Sequence, residues 1–185
     1  MAIVVALLRG VNVVGHGKIK MEDLHELCAS LKLRDVRTHI QSGNIVFQTT
    51  GRDLDRLSLR IADAIDRKHR FRPSVICLTA AGLKEAAARN PFAGRAGLEP
   101  SKLGVCFLSS EPSPEARAKL LQLKTEPEEL HVGIQELFIY FPNGMGRPKV
   151  SMAAVERTAK TPMTVRNWNT VEKLIAIAEE IESGK

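Results

Sequence analysis

The chain opens on Ala2-Ile3-Val4-Val5-Ala6-Leu7-Leu8, an apolar run with no polar break, closed by Arg9-Gly10. A strand with one wet face alternates apolar and polar residues. A short run that does not alternate reads as a central strand buried on both faces.

The rest of the first half fits around that strand. A Gly-rich loop over residues 10–20 precedes Met21, Leu24, Leu27, Cys28 and Leu31, whose three- and four-residue spacing predicts a helix with one apolar stripe. Residues 36–41 and 45–49 flank Ser42-Gly43-Asn44, a hairpin signal. Leu54, Leu57, Ile61 and Ile65 mark a second helix, and residues 74–79 close the unit as a strand after Pro73. The order is β-α-β-β-α-β.

Residues 80–89 read as a connecting helix ended by Asn90-Pro91. Gly94, Gly97 and two prolines make 91–100 the linker candidate. The same order then recurs: strand 102–108, helix 114–123, strands 130–135 and 137–141, helix 150–160, strand 163–166 and a last amphipathic helix over 171–181. No residue-level repeat joins the halves, so the duplication rests on element order alone. This order has a natural solution in the ferredoxin-like plait, two split βαβ crossovers sharing one antiparallel sheet. The expected class is therefore α+β, two tandem ferredoxin-like units with a C-terminal helix. The expected division is a first unit over 1–79, a connecting helix and linker over 80–101, and a second unit over 102–185. A fold of this kind licenses no activity by itself.

Composition narrows the setting. Of 185 residues, 44% are hydrophobic and only 4% aromatic, so the core must be built from Leu, Ile, Val and Ala. No run of about 18 apolar residues is present, and no membrane span is expected. The N-terminus lacks a basic lead and a cleavage site, so no signal peptide is expected. Cys28, Cys77 and Cys106 each sit in an apolar pattern, which favours buried free thiols and a reducing, cytoplasmic setting over a disulfide framework. The net charge of +6 is uneven: residues 1–79 carry 13 Lys/Arg against 8 Asp/Glu. A basic first half is compatible with an anionic partner, and equally with a solvated arginine-rich surface.

Four familiar chemistries fail on spacing. The loop from Gly10 to Lys18 lies where a phosphate loop would, but His16 follows Gly15 and Ile19 follows Lys18, against the G-K-[ST] requirement. Glu22 and Asp23 in the first helical turn would moreover repel a phosphate. Ser42 and His39 suggest a nucleophile and base, yet no nucleophile elbow surrounds the serine, and a hairpin turn explains the segment. The five histidines show no metal-ligand spacing, and no metal or cofactor is expected. An RNA-binding module shares this element order but needs stacking aromatics on its first and third strands, where only Phe47 is found. Sequence-neutral phosphate binding by the arginines survives as an alternative. No acid, base and nucleophile set is visible, so an enzymatic activity is left open.

The densest polar cluster runs from Thr164 to Leu174 and holds the only tryptophan. Asn169 and Glu172 resemble a capping box, and Trp168 beside a helix start predicts burial against that helix. Arg166, Asn167 and Trp168, with Lys149, remain as candidates for a small pocket. Topology adds the first half: the loop after the first strand and the hairpin share one end of a plait, which groups Arg9, Asn12 and Lys18 with Gln41, Ser42 and Asn44. The expectation is that these ends enclose one cleft between the halves, binding a small anionic or polar ligand.

The motif Leu7-Leu8-Arg9-Gly10-Val11-Asn12-Val13, then Met21-x-x-Leu24, Val36-Arg37-Thr38 and Gln41-Ser42-Gly43-Asn44-Ile45-Val46-Phe47, resembles the opening of a widespread bacterial family, the domain of unknown function family 1697. The closing Arg166-Asn167-Trp168-Asn169-Thr170-Val171-x-Lys173-Leu174 is similar to it as well. The resemblance implies two ferredoxin-like halves and no activity. That family usually carries Ser-Lys where this chain has Pro148-Lys149, and a second glycine where it has Val14.

Overall fold

A computed structural model of the chain describes residues 1–12, 17–39 and 43–184. The first half forms β1 (Ala2–Arg9), α1 (Met21–Ser30), β2 (Arg34–His39), β3 (Asn44–Thr49), α2 (Leu54–His69) and β4 (Ser74–Thr79). After α3 (Ala80–Ala88) come β5 (Leu103–Leu108), α4 (Pro114–Leu121), β6 (Glu129–Val132), β7 (Glu136–Tyr140), α5 (Met152–Ala159), β8 (Met163–Asn167) and α6 (Trp168–Glu182). The strands form two antiparallel sheets, ordered β2-β3-β1-β4 and β6-β7-β5-β8. Each is the strand order of a ferredoxin-like plait, so the chain is α+β with two such units and a C-terminal helix. No helix among the described residues is long and apolar enough to cross a membrane.

The chain forms two compact units, Met1–Leu83 with Lys173–Lys185, and Lys84–Glu172. In the first, β1 lies between β3 and β4, and every residue from Val4 to Leu8 is at most 1% exposed. Val4, Ala6 and Leu8 face α1 and α2, packing with Leu24, Cys28, Ile61, Ile65 and Phe47. Val5 and Leu7 point the other way and are equally buried, so the unbroken apolar run is explained: both faces of the sheet are covered.

What covers the second face can be read from β2. Arg37 pairs in register with Val46, and Val46 with Val5, so Arg37 lies on the face turned away from α1 and α2. Its guanidinium meets Glu180 of α6 at 2.7 Å. The C-terminal part of α6 therefore lies against this face, with Leu174, Ile177, Ala178 and Ile181 buried.

The second unit repeats the arrangement. Cys106, Leu108, Leu137 and Ile139 face α4 and α5, where they pack with Leu120 and Val155. Leu103, Val105, Phe107 and Phe138 are buried on the opposite face. There, Glu136 pairs in register with Phe107 and accepts two hydrogen bonds from Arg89, just beyond α3, at 2.7 and 3.0 Å. The segment read as a linker is docked on the same face. Phe92 meets His131 edge-on at 5.2 Å, and Arg95 stacks over Tyr140 while pairing bidentately with Glu129 at 2.8 and 2.9 Å.

Most element boundaries fall within a few residues of the sequence reading. The largest shifts are three residues, at the end of β6 (Val132 instead of 135) and the start of α6 (Trp168 instead of 171); β2 starts at Arg34 instead of residue 36, because a bulge between Arg34 and Arg37 carries Asp35 at φ 47° and absorbs an extra residue. A bulge on an edge strand also discourages pairing with another chain.

Burial and ion pairing contribute unequally to holding α6. Leu174→Ala should cost about 2–5 kcal/mol, as deletions in a packed core do. Arg37→Ala, which breaks a half-exposed pair, should cost no more than about 1 kcal/mol. Urea denaturation of both variants checks the order. An Arg37 effect as large as that of Leu174 would show that the ion pair, and not apolar burial, seats the helix.

Candidate functional site

In the first unit, Leu7 pairs with Asn44, and the Leu8 N–H donates to the Gly43 carbonyl at 2.8 Å. The loop after β1 and the β2–β3 hairpin thus share one end of the sheet, as topology requires. Gly43 adopts φ +85°, and a Cβ there would lie 2.7 Å from Leu8 Cβ, so this corner admits only glycine.

The two asparagines at this end are occupied by the backbone. Asn12, at φ 53°, donates from Nδ2 to the Ile19 carbonyl at 3.1 Å and accepts from the Ile19 N–H at 2.9 Å. Its own N–H donates to Gly17 O at 2.8 Å, so one side chain staples both ends of the loop. Asn44 is buried and donates to the His39 carbonyl at 2.9 Å, closing the hairpin. Arg9 and Lys18 are exposed at the same end. Gln41 and Ser42 lie outside the described residues, as does His16. His39 is partly buried, and that burial, with Lys173 nearby, holds its imidazole below the usual histidine value.

In the second unit, Leu103 pairs with Tyr140 and Gly104 with Asn167, which brings the loop after β7 and the end of β8 to one end of that sheet. Lys149 is exposed. Its backbone N–H donates to Glu128 Oε1 at 3.1 Å, and Val150 N–H to Oε2 at 2.9 Å. Buried Glu128 thereby fixes the loop just ahead of Ser151, the N-cap of α5.

The end of β8 corrects two expectations. The capping box does not form at Asn169: α6 starts at Trp168, and Asn167 Oδ1 accepts from the Thr170 N–H at 2.9 Å as its N-cap. Glu172 instead accepts the indole N–H of Trp168 at 2.8 Å. Trp168 is half-buried, less than a packing anchor would be, because its polar edge turns toward Glu172 one helical turn on.

Arg166 is the candidate that these bonds do not reduce to a turn. Paired with Val105, it lies on the face away from α4 and α5. The guanidinium donates to Thr164 Oγ1 and to the Val165 carbonyl, both at 2.8 Å. Burial pushes its pKa down to about 10. It stays protonated at neutral pH, but in an environment that solvates the charge poorly.

The buried carboxylates of Glu128 and Glu136 carry no sequence signal, since both lie in polar stretches that read as solvated turns. Among the described residues, no three His, Cys, Asp or Glu side chains are placed to share a metal ion.

A model of the family described as "Protein of unknown function (DUF1697)" matches residues 1–138. Among solved structures, a conserved bacterial protein, SP0830 from Streptococcus pneumoniae, matches with a TM-score of 0.70 and 23% identity, over 96% of this chain and 98% of that one. The likeness is one of fold. No curated protein matches.

Asn167→Ala should cost about 1 kcal/mol as a lost N-cap, and Trp168→Phe about 0.5–1.5 kcal/mol as a lost hydrogen bond. Losses of 3 kcal/mol or more, on the scale of about 3–5 for deleting a core aromatic, would mean that both are packed more deeply. The thiols give a pH dependence. Burial pushes Cys28 and Cys106 up to about 12 and Cys77 up to about 11, against 9.0 for an ordinary thiol. Because the folded values are raised, the stability they contribute is complete below pH 9 and is lost as pH rises toward 11–12. The urea midpoint should fall above pH 9, and less so with all three replaced by alanine. An equal fall in that variant would assign the loss to other groups.

Proposed function

We propose, on the premise that the chain belongs to the family of proteins of unknown function DUF1697, that this protein is a binding module for a small anionic ligand. The observation that carries the reading is Arg166. A half-buried guanidinium at a strand end meets an anion in a less watery setting than an exposed arginine does, where a charge-assisted hydrogen bond is stronger. It stands at the sheet end that also holds the loop bearing Lys149, and with Asn167 and Trp168 beside it in sequence. In the first unit, Arg9 and Lys18 offer charge at the equivalent junction of loop and hairpin, which Gln41 and Ser42 of the hairpin would complete. Asn12 and Asn44 would act there by shaping the backbone, since their amides are committed.

Binding is favoured over catalysis because the named polar groups among the described residues are backbone staples, caps and cations, with no nucleophile beside a base among them. The unpaired thiols support a cytoplasmic, reducing setting. A nucleic-acid reading has less in its favour. The face on which an RNA-binding plait stacks bases is, in the first unit, the face that α6 covers.

A thermal-shift panel of phosphate, pyrophosphate and di- and tricarboxylates, followed by calorimetry, tests the proposal. The expected result is a ligand whose Kd rises about tenfold or more in Arg166→Gln and much less in Arg166→Lys, because a charge-assisted bond is at stake. A variant that loses stability yet keeps wild-type affinity would reduce Arg166 to a structural residue and overturn the site.

A further inference from the structure

Each plait has a groove between its two helices, and the two grooves are alike in size and unlike in charge. In the first unit the α1–α2 groove, of about 420 Å³, is lined by Glu26, Ser30, Arg67 and Lys68. Lys68 Nζ bridges Asp23 and Glu26 at 2.9 Å each, so its charge is spent within the protein. In the second unit the α4–α5 groove, also about 420 Å³, is lined by Lys119, Gln122, Leu123, Arg157 and Lys160, with no carboxylate in its wall. Lys119 pairs with Glu115 one turn back along its own helix at 2.8 Å. The Glu115 carboxylate also attracts Lys160 through space, which leaves the three cations of this groove in excess over that one acid.

We infer that the α4–α5 groove is a binding site for an organic phosphate of about mononucleotide size. Three cations, one on α4, one on α5 and Lys160 at the C-cap of α5, match a dianionic phosphoryl group better than a single carboxylate. Leu123 and Ala154 supply an apolar wall for the organic body, and the Gln122 amide a donor or acceptor for its polar edge. The volume falls in the range of small-molecule sites, roughly 300–1,000 Å³. Cations in the last helical turns also complement the helix dipoles. That role explains Lys119 and Arg157 singly, but not their convergence with Lys160 on one groove whose wall holds no carboxylate. The site lies on the helix side of the sheet and Arg166 on the other, so it stands independently of the Arg166 reading.

The test is an NMR titration of the full chain with adenosine monophosphate, adenosine and inorganic phosphate as probes. The expected result is adenosine monophosphate-dependent shifts in backbone amides at Lys119, Gln122, Arg157 and Lys160. Inorganic phosphate should give the same pattern more weakly, and adenosine little. Lys119, Arg157 and Lys160 are exposed, so Lys119→Gln/Arg157→Gln should fold normally and raise the Kd about tenfold or more. Arg67→Gln, in the first groove, and Arg166→Gln should leave it unchanged. No shifts at millimolar adenosine monophosphate, equal shifts with adenosine, or wild-type affinity in the double variant would each overturn the inference. Shifts centred on Arg166 would overturn it while leaving the Arg166 proposal standing.

Discussion

Each sheet is apolar on both faces, while the two crossover helices of a plait can cover only one. Val5, Leu7 and Val46 in the first unit, and Leu103, Val105 and Phe138 in the second, are within 1% of complete burial on the face those helices do not reach. Leaving that face wet would expose a row of Val, Leu and Phe worth roughly 1.5–3 kcal/mol each on burial. The extra elements of this chain are therefore requirements of the sheet. The C-terminal part of α6 serves the first unit, and the segment from Arg89 to Arg95 serves the second. A chain of two bare plaits with these strands would be an aggregation hazard.

Once that face is buried, the polar groups on it must be satisfied locally. Glu136, 2% exposed on its side chain, accepts from Arg89 and from the Ile134 and Gln135 N–H groups at 3.3 and 3.2 Å. A carboxylate so placed is tolerable only because its lone pairs are filled, and removing Arg89 would strand it. Arg37 with Glu180 sits at the wetter margin, a pair of half-exposed groups whose burial costs less. Arg166 lies on such a face as well, and its guanidinium donates to the Thr164 hydroxyl and the Val165 carbonyl.

How much of this was legible depends on which force wrote the signal. Strands and helices were readable because burial imposes period. The unbroken run of β1 gave double-sided burial, and Leu57, Ile61 and Ile65 gave the stripe of α2. The partners of the second face were not readable, because an ion pair between residues 143 apart, Arg37 and Glu180, leaves no trace in local spacing. The docking of the linker segment leaves no local trace for a related reason. Its glycines and prolines announce a turn, but the docking of Phe92 and Arg95 depends on His131, Glu129 and Tyr140, which lie far along the chain. At α6 the spacing of Asn169 and Glu172 imitated a capping box, and the true cap was the asparagine two residues earlier.

The candidate site was legible in the opposite sense. Clusters of Asn, Ser and Gly between periodic segments draw the eye as chemistry, yet they are the residues that a backbone recruits to close its own turns. Asn12 satisfies Ile19, Asn44 satisfies His39, and Asn167 satisfies Thr170, each at 2.9–3.1 Å. A side chain spent on the backbone shapes a loop and has less left for a ligand, and in Asn12 both donor and acceptor are so used. Long cations on helix faces behave in reverse. Lys119 and Arg157 look in sequence like ordinary solvated positions, and only the packing of α4 against α5 brings them to one groove with Lys160. Surface charge becomes a site when two elements converge on it, and convergence is a property of tertiary structure that no single segment can announce.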